Sequence, residues 1–331
     1  MAYTTQLWTD YPSTSTPITA DRLGHIEDGI YAAAQTADSA ATSAASALSA
    51  LSATVRAEDY GAVGDGVTDD AAAISSAITA AAPYGLRVQL LPRVYAVGSQ
   101  ITATVPIDGG GATLIAAGSA RAKLLVASAP VRDLTVDATS AKITSYMVEI
   151  PNDAAAVRLE RVTFLCTGAA EGQRVQGVET RDNVTDLTIT GCRFIGQTTA
   201  IRLNRTPSGV FIDGCTFAAW EDVAVYVLGT ATTRAVDVTI RGCRIGPHRT
   251  RVLTGSPDPA QVCQPIRVLG DDSNKHRNIA VVNNHITAMG TGHADPTNPG
   301  SADCISVHRT DGVLIHEFCA GICPHPHPRA R

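Results

Sequence analysis

Two adjacent aspartates, Asp271 and Asp272, follow the run "PIRVLG", and a third, Asp303, precedes "CISV". Carboxylates in such company suit hydrolysis of a glycosidic bond. That chemistry needs a pair about 5 to 5.5 Å apart for retention, or about 6.5 to 9.5 Å for inversion. These three are the candidate catalytic residues. A lyase would instead use a base with cationic charge stabilisation, for which Arg267, His308 and Arg309 are available. Trp220 and Glu221, with Asn204 and Arg205, fall on expected loops, where a sugar is met by stacking and hydrogen bonds. Trp220, Glu221, Arg267 and His308 are therefore the candidate substrate-binding residues.

Two other clusters invite a metal reading. Glu58, Asp59, Asp65, Asp69 and Asp70 crowd one glycine-containing stretch. Carboxylates suit hard cations, but this spacing matches no known loop for one, and turn and cap chemistry is the better reading. Gly61, Gly64 and Gly66 permit tight turns. Thr68 or Asp69 is placed to cap a helix near 70–82 that carries Ala73, Ile74, Ala77, Ile78 and Ala81 on one face. Near the other terminus, Cys319, Cys323, His325 and His327 have zinc-ligand chemistry. The duller account, preferred here, is an aperiodic and non-native tail over 316–331. No metal and no cofactor is expected.

Positioning any of these groups requires a scaffold, and the scaffold is written as a repeat. "LERVTF" (159–164), "ITGCRF" (189–194), "IDGCTF" (212–217), "IRGCRI" (240–245) and "VVNNHI" (281–286) share a kernel. An aliphatic residue leads to a turn residue, then to Val162, Cys192, Cys215, Cys243 or Asn284, and two places later to Phe or Ile. Between kernels lie the strand-like runs "AIRL", "AVYVL", "PIRVL" and "CISV". The shortest interval, from Cys192 to Cys215, leaves no room for a helical crossover, which needs about 30 residues or more. Variable spacing around a constant kernel is what stacked strands with loop insertions produce. The expected fold is all-β, a right-handed single-stranded parallel β-helix over 56–315. Rungs about 4.8 Å apart would stack the cysteines as buried thiols, because free Cys behaves as a small hydrophobe.

Upstream, Leu23, Ile30, Ala37, Ala44 and Leu51 alternate with Ile26, Ala33, Ala40, Ala47 and Thr54 at three- and four-residue steps. That is the seam of a coiled coil over 23–55. A helix of about 30 residues is about 45 Å long, and an alanine-rich one has little apolar area to hide in its own chain. It is expected to self-associate, as a homotrimer. Residues 1–22, with Pro12 and Pro17, read as extended chain.

Composition narrows the function classes. A net charge of -5 gives no electrostatic reason to expect nucleic acid. No apolar run reaches the roughly 18 residues of a membrane span, and the N-terminus has neither basic start nor apolar core of a secretory signal. Aromatics at 5% point to a core of small and β-branched residues.

"DYGAVGDGVTDDAAAISSAI" (59–78), continued by "RVQLLPRVYAV" (87–97), resembles the opening segment of the pectate-lyase superfamily of right-handed parallel β-helices, phage tailspikes included. The resemblance implies the pectin-lyase-like fold and glycan as ligand or substrate. Asp303 in "ADCISV" is similar to the "DDC" of polygalacturonases, with Ala302 in place of the first aspartate, and their "GHG" is "GHA" at 292–294. "WTDYPSTSTPITADRLGHIEDGI" (8–30) is similar to the N-terminal segment of tail-associated proteins of phages and prophages of Gram-positive bacteria. It implies attachment of residues 1–22 to phage tail or baseplate proteins, location in the virion, and host cell-surface polysaccharide as partner. The expected function is a tail spike or fibre-like component in adsorption. The rival is a polysaccharide-degrading lyase or glycoside hydrolase on the same fold.

Overall fold

A computed structural model describes residues 20–52, 54–166, 174–249, 252–253, 256–257, 264–287 and 305–320, with side chains omitted at 43–52, 252–253, 256–257 and 317–320. The chain divides into two compact units, Met1–Ala53 and Thr54–Arg331.

Among the described residues of the first unit a single helix, α1, runs Ala20–Ser52. It starts three residues before the expected 23–55 and stops before 55, because Thr54–Arg56 is a strand paired in parallel with Arg87–Gln89. Thr54 therefore belongs to the sheet rather than to the heptad seam. Of the seam residues, Ile26 is 59% exposed and Ile30 48%.

The second unit is built from parallel strands. Among the described residues one sheet has 16 strands and another eight, and successive strands of each are rungs of one coil. Among the described residues no helix separates the kernels. This is an all-β architecture of parallel sheets, consistent with a right-handed β-helix. The kernel positions stack as their alignment requires: Phe164, Phe194, Phe217, Ile245 and Ile286 are register partners through the five kernels. The three rings lie nearly parallel, with centroids 4.5 and 5.0 Å apart.

One step before those strands, Val162, Cys192, Cys215, Cys243 and Asn284 are all buried, and the cysteines are free thiols. Each cysteine Sγ donates to a backbone carbonyl, Cys192 to Leu159 (3.3 Å) and Cys243 to Arg241 (3.2 Å) among them. The polar end of this ladder is satisfied in kind. Asn284 Oδ1 accepts the Cys243 amide (3.0 Å) and its Nδ2 donates to the Ile240 carbonyl (3.0 Å).

The preceding kernel position explains the choice of turn residue. Arg161, Gly191, Gly214, Gly242 and Asn283 all have φ between 51° and 61°, the left-handed region where glycine and asparagine are least strained. Arg161 is the exception in type, and its guanidinium is held by the Asp133 carboxylate through bonds of 2.6 and 2.8 Å.

The second helix, α2, spans Ala71–Ala81 and buries Ala71, Ile74, Ala77, Ile78 and Ala81. Its N-cap is Asp70, not Thr68 or Asp69, and the Asp70 side chain makes no cap bond. The Asp70 carboxylate instead accepts the Val63 and Gly64 amides (2.6 and 3.1 Å). Asp69 takes over the helix end by accepting the Ala71 amide (3.1 Å) while also accepting that of Gly98 (2.8 Å). Asp65 closes its own turn on the Val67 and Thr68 amides, and these bonds hold its carboxyl below the usual value. Glu58 meets the phenol of buried Tyr95.

Beyond the last kernel, pairing does not stop at 315. The strand Thr310–Ala320 stays in parallel register with His276–Thr287 as far as Thr287 opposite Ala320. Residues 316–320, expected to be aperiodic, continue the rung. Of the candidate zinc ligands, Cys323, His325 and His327 lie outside the described residues.

Candidate functional site

Asp271 and Asp272 occupy an exposed turn between rungs, closed by pairing of Asp271 with Asn274. Asp271 Oδ1 accepts the Ser273 hydroxyl and amide, which lowers its pKa. The Asp272 side chain is 78% exposed and forms an ion pair with Arg309 Nε at 2.9 Å. Asp303 lies outside the described residues. What the structure gives for the two visible aspartates is turn closure and a solvated ion pair.

Trp220 and Glu221 do lie between strands, after Thr216–Ala218 and before Val223–Leu228, but the reading of them as sugar-contacting needs correction. Trp220 is 1% exposed, and its Nε1 donates to the Gly246 carbonyl (2.9 Å). A ring packed beneath the next coil is not offered to solvent for stacking on a sugar. Glu221 is also buried; its carboxylate meets Arg249 and accepts the Thr198 hydroxyl (3.1 Å). Each of these two buried polar side chains finds a partner, which offsets the cost of taking it out of water. His308 is exposed at the end of its strand, and its carbonyl accepts the Gly270 amide (3.1 Å).

Arg267 is different, and it leads to a site the motif search missed. In the eight-stranded sheet the parallel register decides which side chains stack. Leu125, Val148, Val178, Ile201, Val225 and Ile266 stack inward and are buried. One residue along, Glu149, Glu179, Arg202, Tyr226, Arg267 and Ser306 stack on the opposite face. A parallel column beside them holds Lys123, Tyr146, Gln176, Thr199, Val223 and Gln264. The two columns are three residues apart on each strand, with consecutive buried residues such as Met147 and Val148 or Ala224 and Val225 between them, and in-register stacking makes each column continuous.

At one end of the face, the carboxylates are held by cations. Glu149 Oε1 accepts Lys123 Nζ (2.6 Å) and Oε2 accepts Arg181 Nε (2.8 Å). Arg181 also reaches the Tyr146 hydroxyl and, at 3.5 Å, Glu179 Oε1. Asn204 Nδ2 donates to Glu179 Oε1 (3.3 Å). The Gln176 amide, turned to suit both neighbours, donates to Glu179 Oε2 (2.9 Å) and accepts from Arg202 Nη1 (3.2 Å). Both glutamates are nearly inaccessible, at 6% and 5% exposure. Burial alone would raise the Glu149 carboxyl, but the bonds from Lys123 and Arg181 outweigh it and hold it below the ordinary value. Burial pushes the Tyr146 phenol up, against the charge of Arg181. Glu149 is thus kept as a carboxylate, the opposite of what a proton-donating acid requires.

Farther along the face the aromatic and cationic groups alternate. The guanidinium carbons of Arg202 and Arg267 lie 5.9 and 5.2 Å from the Tyr226 ring centroid. Such a face can hold a chain-like ligand laid along the coil, with hydrogen bonds and charge offered rung after rung. The signal was in the sequence, in the middle letters of "AIRL", "AVYVL" and "PIRVL". It becomes visible only when those runs are put in register.

Comparison with known proteins follows from this geometry. The model of the family described as rhamnogalacturonase A/epimerase, pectate lyase-like, matches residues 54–247. No curated protein matches the chain. Among solved structures, the chain is similar to PfbA, a surface adhesin of Streptococcus pneumoniae, at 16% identity and a TM-score of 0.43, covering 81% of this chain and 89% of that one. It is also similar to the pre-mature gene product 12 of bacteriophage phi29, at 11% identity and a TM-score of 0.40, covering 80% and 52%. A third is the A-module of the mannuronan C-5 epimerase AlgE4 of Azotobacter vinelandii, at 14% identity and a TM-score of 0.34, covering 82% and 96%. With more than half of its residues matched by the family model, on a fold of stacked parallel strands, this chain belongs to the rhamnogalacturonase A/epimerase, pectate lyase-like family.

Proposed function

We propose that the chain is a phage or prophage tail spike or fibre component that binds host cell-surface polysaccharide during adsorption. It acts as a homotrimer, joined through a coiled coil of α1 and attached to tail or baseplate proteins by residues 1–22. The observation that carries the binding role is the outward face of the eight-stranded sheet, where Glu149, Glu179, Arg202, Tyr226 and Arg267 stand in one register column. A surface of aligned polar and aromatic groups suits an extended polymer better than a small compact ligand, because the same spacing recurs at every rung. The exposure of Ile26 and Ile30 on α1 supports self-association, as isolated apolar seam residues gain from burial against copies of themselves. The likeness of residues 8–30 to tail-associated segments supports the phage assignment.

Two measurements test this reading. Light scattering on the full chain should return three times the monomer mass. Incubation with intact Gram-positive cells or their purified wall and capsular glycans should retain the protein. A stable monomer retained by no cell or glycan would overturn it.

A further inference from the structure

The charges on the outward face do not balance evenly along its length. At the Glu149 end, two carboxylates are met by two cations, Lys123 and Arg181, through the contacts already described. The polar capacity that remains on Glu179 is taken by the Asn204 and Gln176 amides. Two rungs on, the balance is lost. Among the described residues Arg202 and Arg267 make no ion pair, although nine other arginines and lysines do. Arg202 has one hydrogen bond, to the neutral Gln176 amide, and its Nε is buried with no acceptor at all. Among the described residues the Arg267 guanidinium has only the Tyr226 ring. Glu221 and Asp222 precede Val223 on the central strand, but Glu221 is already engaged with Arg249.

Guanidinium is costly to leave partly buried without an acceptor, and its planar fork matches carboxylate and phosphate oxygens in pairs. Stacking on an aromatic ring uses the guanidinium face and leaves the N–H edge free for such a partner. Tyr226 therefore holds two forks in place without consuming their donors. Register places Arg202 and Arg267 two rungs apart, about 10 Å along the coil at roughly 4.8 Å per rung.

From this geometry we infer that Arg202, Tyr226 and Arg267 form a two-point oxyanion site for a polyanionic chain, taking a carboxylate or phosphate at each guanidinium. The inference rests on the glycan-binding role of the same face and specifies its ligand chemistry. A polymer that fills both points gains from the second as an intramolecular event, so it binds far more tightly than its monomer.

The experiment measures binding of the full chain to alginate, to polyglycerol phosphate and to neutral dextran, with glucuronate and glycerol phosphate as monomers. At least one polyanion should bind, dextran and both monomers much more weakly, and binding should weaken as salt rises. The alginate and polyglycerol phosphate arms decide which oxyanion is taken. Arg202→Gln with Arg267→Gln should lose roughly tenfold or more in affinity. Arg202→Lys with Arg267→Lys keeps the charge without the fork, so it should bind less tightly with its salt dependence retained. That pair decides the matter should the glutamine pair unfold. Dextran bound as well as the polyanions, or undiminished binding by both variant pairs, overturns the inference. Cell retention without binding to any polyanion overturns it too, leaving the glycan reading in place. Loss of cell retention as well removes both.

Discussion

Replacing Asn284 by alanine would strip two buried backbone groups, the Cys243 amide and the Ile240 carbonyl, of their partners. Unpaired buried polar groups cost about 1 to 3 kcal/mol each, so N284A should melt several degrees lower by calorimetry. Asn284→Val, although it restores the residue of the first kernel, should fare no better, because valine supplies neither donor nor acceptor. At Gly214 the limit is conformational. Nothing lies within 4 Å of an added Cβ, yet φ is 60°; G214A should cost about 1 kcal/mol through backbone strain alone. Buried thiols predict chemistry as well as packing. Burial pushes Cys166 up to about 12, and Cys215 is raised by its hydrogen bond with Cys192. A thiol-specific reagent at pH 8 should leave Cys166, Cys192, Cys215 and Cys243 unmodified in the native protein and label all four after unfolding, as read by peptide mass spectrometry.

Among elements, the outward sheet face contributes to the acid sensitivity through Glu149. The Glu149 carboxyl titrates below its ordinary value of 4.5 when folded, so the protein binds fewer protons there than the unfolded chain. The stabilisation is therefore complete above about pH 4.5 and disappears as pH falls through the folded value. Glu149→Gln should melt a few degrees lower than the parent at pH 7, and the difference should close below about pH 4; a constant gap across that range would show that Glu149 acts through packing. The same face shows which parts of a site can be read from a chain of letters. The kernels with Cys192, Cys215 and Cys243 were legible because each rung repeats a residue type, and repetition is visible without coordinates. The column Glu149, Glu179, Arg202, Tyr226, Arg267 passes from acidic to cationic to aromatic along the coil. It shares a position rather than a letter, and loop insertions hide the position. Trp220 was misjudged for a related reason: a large ring beside charged residues reads as surface, and only the next coil, with its Gly246 carbonyl, buries it.

On the scale of the whole molecule, the two units answer to different forces. Thr54–Arg331 buries its own core rung by rung, whereas α1 leaves Ile26 and Ile30 exposed. A chain beginning at Thr54 should keep its cooperative melting transition but lose trimeric mass by light scattering. Ile26→Asp with Ile30→Asp in the full chain should have the same effect on mass. A truncated chain that stayed trimeric would place the association in the β unit instead.

By itself the sequence determined the scaffold. Alternation, a left-handed turn residue and a small buried slot recur often enough to demand parallel stacked strands, since no other arrangement buries every copy alike. It also assigned the acidic stretch around Asp65, Asp69 and Asp70 to turns and a helix start, although the sharing of roles differs: Asp70 braces the preceding loop and Asp69 bonds the helix amide. Only the tertiary structure decided which side chains share a surface. Neighbours on the outward face are far apart in the chain, as Arg202 is from Tyr226 and Tyr226 from Arg267. Backbone hydrogen bonding sets their register, and the variable loops between them keep it from being read along the chain.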